Sequence, residues 1–107
     1  MFLIVSKYLV PKGYRGMTVY PFIILRDRAE VANAILLNHE KIHIRQQAEL
    51  LVVGFYIGYL CSYFIGLLKF GNHTKAYRNI IFEREAYVNE NDFSYLKKRP
   101  FWNFLKF

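Results

Sequence analysis

The chain has 107 residues, a length that predicts one domain, spanning residues 1–107, with a modest hydrophobic core. Hydrophobic residues make up 54% and charged residues 21%, a balance that excludes a disordered chain. The net charge of +7 permits an anionic partner, but Lys and Arg are scattered rather than clustered, so we expect no nucleic-acid partner.

The N-terminal quarter predicts a small β-sheet. Apolar and β-branched residues favour strands over 2–10 and 17–25, and "PKGYRG" at 11–16 has the composition of a turn. The simplest arrangement is a β-hairpin made by these two strands. Pro21 lacks an N–H group, so the second strand should lie at a sheet edge or carry a bulge.

Helices are predicted for the rest of the chain. Asp27 and Glu30 have the spacing of a capping box, which starts a helix near residue 28. This helix could run without interruption to residue 70, where Gly71 supplies a C-cap. A second helix is predicted over 74–99. The expected fold class is therefore α+β, a small N-terminal hairpin with two or three helices.

Residues 39–43 read "HEKIH", the pattern H-E-x-x-H. On a helix, His39 and His43 lie one turn apart on the same face, so both imidazoles can reach one zinc ion at about 2.0–2.1 Å. Glu40 is rotated away by about 100° and is not a ligand. It is instead a candidate general base that takes a proton from water.

A catalytic zinc ion needs a third protein ligand. The downstream candidates are His73, Glu83, Glu85 and Glu90. Helical spacing would place Asn79, Glu83 and Tyr87 on one face, and such a polar stripe favours Glu83. The alternative is an ordinary amphipathic helix whose two histidines are surface or core groups.

"HEKIH" followed by "EREAY" at 83–87 resembles the gluzincin metallopeptidases, and the chain length is similar to that of the single-domain minigluzincins. The resemblance implies a zincin-like domain in which the H-E-x-x-H helix packs against a C-terminal helix that carries Glu83. It implies that His39, His43 and Glu83 bind one Zn²⁺ per chain and that Glu40 is the general base.

Tyr87 departs from the gluzincin pattern, which commonly has Asp at this position. A tyrosine there can hydrogen-bond a metal ligand or donate to a developing oxyanion, so Tyr87 is a second catalytic candidate. Asn79 would support the site from the same stripe. Gluzincins also place an edge strand before the first helix, where the substrate backbone pairs. Strand 17–25 stands in that position, which makes Tyr20, Phe22 and Ile23 the expected substrate-binding residues.

Residues 50–68 contain no charge and are long enough for a transmembrane helix candidate. A straight span would carry Glu83 to the opposite side of the bilayer from the two histidines. A span and a zinc triad therefore exclude each other unless the helix pair lies within or along the membrane. Two interpretations stay open, a buried or interfacial helix and a membrane span. Cys61, the only cysteine, is expected to be a small buried hydrophobic residue.

The sequence thus predicts a small zinc-dependent metallopeptidase that acts on a peptide or protein substrate. The alternative is a non-catalytic membrane-associated or oligomeric interaction protein with a structural or vestigial metal site, in which the aromatic tail "PFWNFLKF" takes part. A membrane surface and a second copy of the chain are further expected partners. The first ten residues do not read as a signal peptide, so the expected location is cytoplasmic or membrane-associated.

Overall fold

The computed structural model describes residues 2–107 and confirms the α+β class. Within this range a three-stranded mixed sheet is followed by five α-helices. The strands are β1 (Phe2–Val5), β2 (Gly16–Val19) and β3 (Phe22–Leu25). The helices are α1 (Ala34–Glu49), α2 (Val53–Phe70), α3 (His73–Arg78), α4 (Ile81–Asn89) and α5 (Tyr95–Lys98).

The sheet has the order β1-β3-β2, with β3 parallel to β1 and antiparallel to β2. The predicted hairpin between 2–10 and 17–25 is therefore wrong. The hairpin lies within 17–25, because the chain turns at Tyr20-Pro21 and splits this segment into β2 and β3. Pro21 has no N–H group to give to a sheet, and a turn is a position that tolerates this loss.

Helix α1 begins later than the capping-box pattern predicts. The Asp27 side chain caps nothing, and residues 28–32 form a 3₁₀ turn. Asn33 is the N-cap, since its side-chain oxygen accepts the backbone N–H of Leu36 at 3.1 Å. Glu30 is unavailable to a capping box because its carboxylate binds Arg15 at 2.7 Å and Asn33 at 3.1 Å.

The predicted uninterrupted helix to residue 70 is also wrong, because Leu51 and Val52 break it with positive φ angles of 57° and 64°. The break separates α1 from α2. The predicted C-cap is confirmed, as Gly71 ends α2 in the left-handed conformation with φ 62°.

The segment predicted as one helix over 74–99 forms three shorter helices, α3, α4 and α5. The first of them, α3, runs back along α2 and packs against it. A Cβ at Gly66 would lie 3.0 Å from the Cα of Ala76, so glycine allows the two helices to approach closely. The backbone N–H of Ile81 donates to the hydroxyl of Ser62 at 3.3 Å. Through this return, α4 reaches the side of α1 that carries the histidines.

Within residues 2–107, the helical part of the core contains two clusters of buried side chains. One contains Phe55, Ile80, Phe82 and Phe104, and the other contains Ile42, Ala86 and Tyr95. The second cluster joins α1 to α4, the two helices that position the candidate site. Phe104 shows that the aromatic tail packs in part on the core, whereas Phe101 and Leu105 are exposed.

Candidate metal centre

Three buried side chains converge between α1 and α4. Nε2 of His39 and Nε2 of His43 each lie 3.1 Å from Oε1 of Glu83. The two Nε2 atoms are 3.2 Å apart. The structure thus brings together the two histidines of the H-E-x-x-H pattern and the carboxylate that the polar stripe favoured.

Gln46 determines which nitrogen of His43 carries hydrogen. The Gln46 amide nitrogen donates to the carbonyl oxygen of Phe82 at 3.1 Å and to Glu85 at 2.8 Å. Its side-chain oxygen therefore faces Nδ1 of His43, at 2.7 Å. Because an amide oxygen only accepts, Nδ1 is the donor and the lone pair of neutral His43 is on Nε2.

Glu90 and Tyr59 orient the other two groups. Nδ1 of His39 lies 2.8 Å from a carboxylate oxygen of Glu90, so this nitrogen donates and Nε2 keeps its lone pair. The hydroxyl of Tyr59 donates to Oε2 of Glu83 at 2.7 Å. Oε1 of Glu83 is therefore free of this hydrogen bond and faces the two histidines.

When both imidazoles are neutral, two lone pairs and a carboxylate oxygen consequently face one another without a donor between them. A proton on Nε2 of His43 would form a hydrogen bond to Glu83, but the lone pair of His39 would still face the same carboxylate oxygen. The observed separations of 3.1 to 3.2 Å are close to the edge, about 3.3 Å, of a tetrahedron with arms of about 2.0–2.1 Å. This buried group could hold a metal ion.

The electrostatics of the centre also favour a cation. Burial lowers the pKa of His43, but the Glu83 carboxylate more than offsets this and raises that pKa to about 9. Burial likewise opposes ionisation of Glu83, yet the two histidines hold the pKa of this carboxyl well below its usual range. Glu83 is therefore ionised at neutral pH.

Glu40 is buried beside the centre and outside the converging group. The Thr18 hydroxyl donates to one of its carboxylate oxygens at 2.7 Å and so connects α1 to strand β2. Glu40, His43 and Glu83 all line one cavity, which suits a base that works next to a metal ion.

Two cavities meet at Glu40. The aromatic cavity has a volume of about 490 Å³, and the ring-bearing side chains on its wall include Tyr14, Phe55, Tyr59 and Tyr63. The basic cavity has a volume of about 550 Å³, and its wall includes Lys12, Arg15, Arg78, His39 and Glu90. Together they form a cleft that runs along both sides of the candidate metal-binding group, with His43 and Glu83 on one wall and His39 on the other.

Tyr87 touches the centre and Asn79 does not. The ring of Tyr87 packs edge-on against the His39 ring, with the two centroids 4.7 Å apart. The Arg78 guanidinium lies over the Tyr87 ring, 4.3 Å from its centroid. Asn79 is exposed and donates to the carbonyl oxygen of Lys75. Because α4 begins at Ile81, Asn79 does not share a helix with Glu83, and the predicted stripe loses this member.

The three residues expected to bind substrate do not reach the metal-binding group through an edge strand. Phe22 and Ile23 lie on β3, which is paired on both sides, and Ile23 is fully buried. Tyr20 lies in the turn, where its N–H donates to Gln47 at 2.7 Å. Of segment 17–25, only the part in β2 lies at an edge of the sheet.

Two other candidate ligands have different partners. Glu85 forms a buried ion pair with Arg99, at 2.6 Å, and the other side of this guanidinium binds Glu49 at 2.7 Å. Arg99 is therefore an internal charge that neutralises two buried carboxylates. His73 is exposed at the cleft mouth, where the hydroxyl of Tyr63 lies 2.7 Å from its Nδ1.

Sequence reasoning missed three residues that position the centre, Thr18, Gln46 and Tyr59. Gln46 follows His43 by three positions on one helix face, a spacing that could have identified it. Thr18 and Tyr59 are brought in from β2 and α2, so only the tertiary fold reveals them.

Comparisons with protein-family models, curated proteins and solved structures found no match to this chain.

Proposed function

We propose that this chain is a small zinc-dependent metallopeptidase of the gluzincin type. The observation that supports it best is the convergence of two imidazole lone pairs and one carboxylate oxygen within 3.2 Å of one another. A second carboxylate, Glu40, lies in the same cleft. Ligands and base are thus distinct groups, as zinc hydrolases require.

Zinc is the metal that fits these donors. Two histidines and one glutamate are a ligand set of catalytic zinc sites, and three protein ligands leave one position open. When bound, zinc supplies Lewis acidity, which acidifies water and polarises a carbonyl group. Gln46 and Glu90 hold the two imidazoles in the ligating tautomer, and Tyr59 holds the carboxylate.

Glu40 is the general base of the proposed reaction. The Thr18 hydroxyl holds Oε2 in place, which leaves Oε1 on the side of Gly16 and the cleft. This oxygen takes a proton from water as the peptide carbonyl is attacked. It then returns the proton to the nitrogen of the leaving amine.

A peptide substrate would pair with the free edge of β2. In an antiparallel pair, residues alternate between pointing their backbone groups toward and away from the partner strand. The backbone N–H of Arg26 donates to the carbonyl oxygen of Arg15, so the backbone N–H and C=O groups of Gly16 and Thr18 point away from β3. The Thr18 carbonyl already accepts from Gln47 at 2.8 Å, and Gly16 is therefore the edge residue proposed to bind substrate backbone.

The proposal is tested by zinc content and peptide hydrolysis of the purified chain. We expect about one zinc per native chain and cleavage of a fluorogenic peptide library. Glu40→Gln should keep the zinc and lose cleavage, since an amide cannot act as base. Asn79→Ala, an exposed change outside the centre, is the matched control and should keep both.

Two results would contradict the proposal. Cleavage by Glu40→Gln at the native rate would remove Glu40 from the reaction. Bound zinc without cleavage of any library peptide would favour the non-catalytic alternative with a structural metal site.

A further inference from the structure

Helix α2 is apolar but largely uncovered. It is the one helix in residues 2–107 that is long and apolar enough to cross a bilayer, with a mean hydropathy of 1.4. Only 11% of it is buried inside the protein. A core helix of a water-soluble protein with this composition would be mostly buried, so the face that α2 presents to its surroundings requires an explanation.

Helix α2 carries large apolar side chains on its exposed face as well as on its packed face. Its exposed large side chains, here called the outward face, are Val53, Ile57, Leu60, Phe64, Ile65 and Leu68. Except for the neighbours Phe64 and Ile65, they recur at intervals of three and four residues and so form one broad stripe. The packed side carries rings as well, with Phe55 in the core and Tyr59 and Tyr63 beside it. Two glycines on this side allow close contacts, Gly58 with the Phe82 ring and Gly66 with Ala76. A helix in water places its apolar stripe inward.

The charge of this region matches an anionic surface. Between Glu49 and Glu83 the chain contains no acidic residue, whereas Lys69, Lys75 and Arg78 are cationic. These residues lie on the pair of helices α2 and α3, which pack against each other. Of these cations, Lys69 lies on α2 itself, where it is exposed. An apolar stripe with an adjoining cation and no acidic residue is the pattern that favours anionic lipid.

The C-terminal tail extends the apolar surface beyond the start of α2. The indole N–H of Trp102 donates to the carbonyl oxygen of Glu49 at 3.4 Å. This contact places Trp102 close to Leu51, which is 83% exposed. Tryptophan is enriched at the boundary between lipid and water, where its ring is apolar and its N–H is polar.

We propose that the outward face of α2 docks on an anionic lipid bilayer, with the helix lying at the interface. The helix does not cross the bilayer, because α3 packs on its inner side and returns the chain to the metal-binding group. If the proposed peptidase function holds, substrate would come from the same surface. Leu60 belongs both to the outward face and to the wall of the aromatic cavity.

Vesicle binding of the purified full chain tests the docking. The probes are unilamellar vesicles of phosphatidylcholine with phosphatidylserine, and vesicles of phosphatidylcholine alone. We expect sedimentation with the anionic vesicles, weaker binding at high salt, and a blue-shifted emission from an environment-sensitive fluorophore on Cys61. This cysteine is exposed on α2, contrary to the buried position that the sequence suggested, and no other cysteine competes for the label.

A matched pair of substitutions tests the face itself. Phe64→Glu should weaken vesicle binding by about tenfold or more, because it puts a negative charge into the apolar stripe. Val88→Glu makes the same charge change at an exposed apolar residue of α4 and should leave binding within about twofold. Circular dichroism of both variants checks that they fold.

Three results would overturn the docking proposal. They are no binding of the native chain to anionic vesicles, equal weakening by the two substitutions, and an unshifted Cys61 fluorophore. A stable dimer that Phe64→Glu dissociates, without vesicle binding, would assign the face to a second copy of the chain. Binding is measured on metal-free and zinc-loaded protein, so a failure of the peptidase proposal leaves this test intact.

Discussion

The side-chain oxygen of Gln46 lies 2.7 Å from Nδ1 of His43, three residues earlier on the same helix. The amide nitrogen of this glutamine donates to Glu85 at 2.8 Å, and Glu85 is paired with Arg99. One buried amide thus links the orientation of an imidazole in the candidate metal centre to a buried ion pair. We therefore expect the affinity of the centre for zinc to depend on residues outside the three ligands.

Gln46→Met should weaken zinc binding by about 10–100-fold, because His43 loses the acceptor that fixes its tautomer. Competition with a chromophoric chelator measures the affinity. Gln47→Met is the matched control, since the neighbouring Gln47 is equally buried but binds the backbone of β2. Equal loss of affinity in both variants would show that the effect is general destabilisation of α1.

Tyr59→Phe should weaken zinc binding by about tenfold, because Glu83 loses the hydroxyl that holds its second oxygen. The same chelator titration measures it. Tyr63→Phe, one turn later on α2, removes a hydroxyl that contacts His73 and should leave the affinity unchanged. An unchanged affinity in Tyr59→Phe would exclude this positioning role.

Arg99→Met should lower the free energy of unfolding by about 3–5 kcal/mol, because two buried carboxylates lose their cation. The Arg99 and Glu85 side chains are both 0% exposed. Urea denaturation of the metal-free protein measures the change. Arg15→Met breaks a pair whose arginine is 62% exposed and should cost about 1 kcal/mol or less. Similar costs at the two sites would contradict the burial of Arg99.

Zinc affinity should rise with pH. The pKa of His43 in the metal-free centre is raised to about 9, so at pH 7 this imidazole carries a proton that zinc must displace. The dissociation constant should therefore fall about tenfold per pH unit from pH 7 and level off near pH 9. Calorimetry in buffers of different ionisation enthalpy should show about one proton released per zinc at pH 7. A dissociation constant independent of pH would contradict this coupling.

Local sequence rules predicted the parts of the fold that local chemistry determines. The α+β class follows from apolar strands before helical periodicity, and Gly71 ends α2 because glycine adopts the left-handed conformation without a steric cost. The four-residue spacing of His39 and His43 was enough to predict that they share one face of a helix. Each of these features depends on residues within one or two helical turns.

The missed features depend on tertiary contacts. Leu51 and Val52 break the long helix although neither glycine nor proline is present there, and β-branched Val52 rarely adopts a positive φ. Gly58 on α2 provides space for the Phe82 ring, a role that only the packed structure reveals. Asn79 shared a stripe with Glu83 only under the assumption of one continuous helix.

The most direct test of the metal centre is anomalous X-ray diffraction at the zinc edge from crystals of the zinc-loaded native chain. We expect one anomalous peak at about 2.0–2.1 Å from Nε2 of His39, Nε2 of His43 and a carboxylate oxygen of Glu83. Crystals of Glu83→Gln, soaked in the same way, should show a much weaker peak. No peak between these three side chains in the native crystals, or a zinc ion bound by other residues, would contradict the proposed centre.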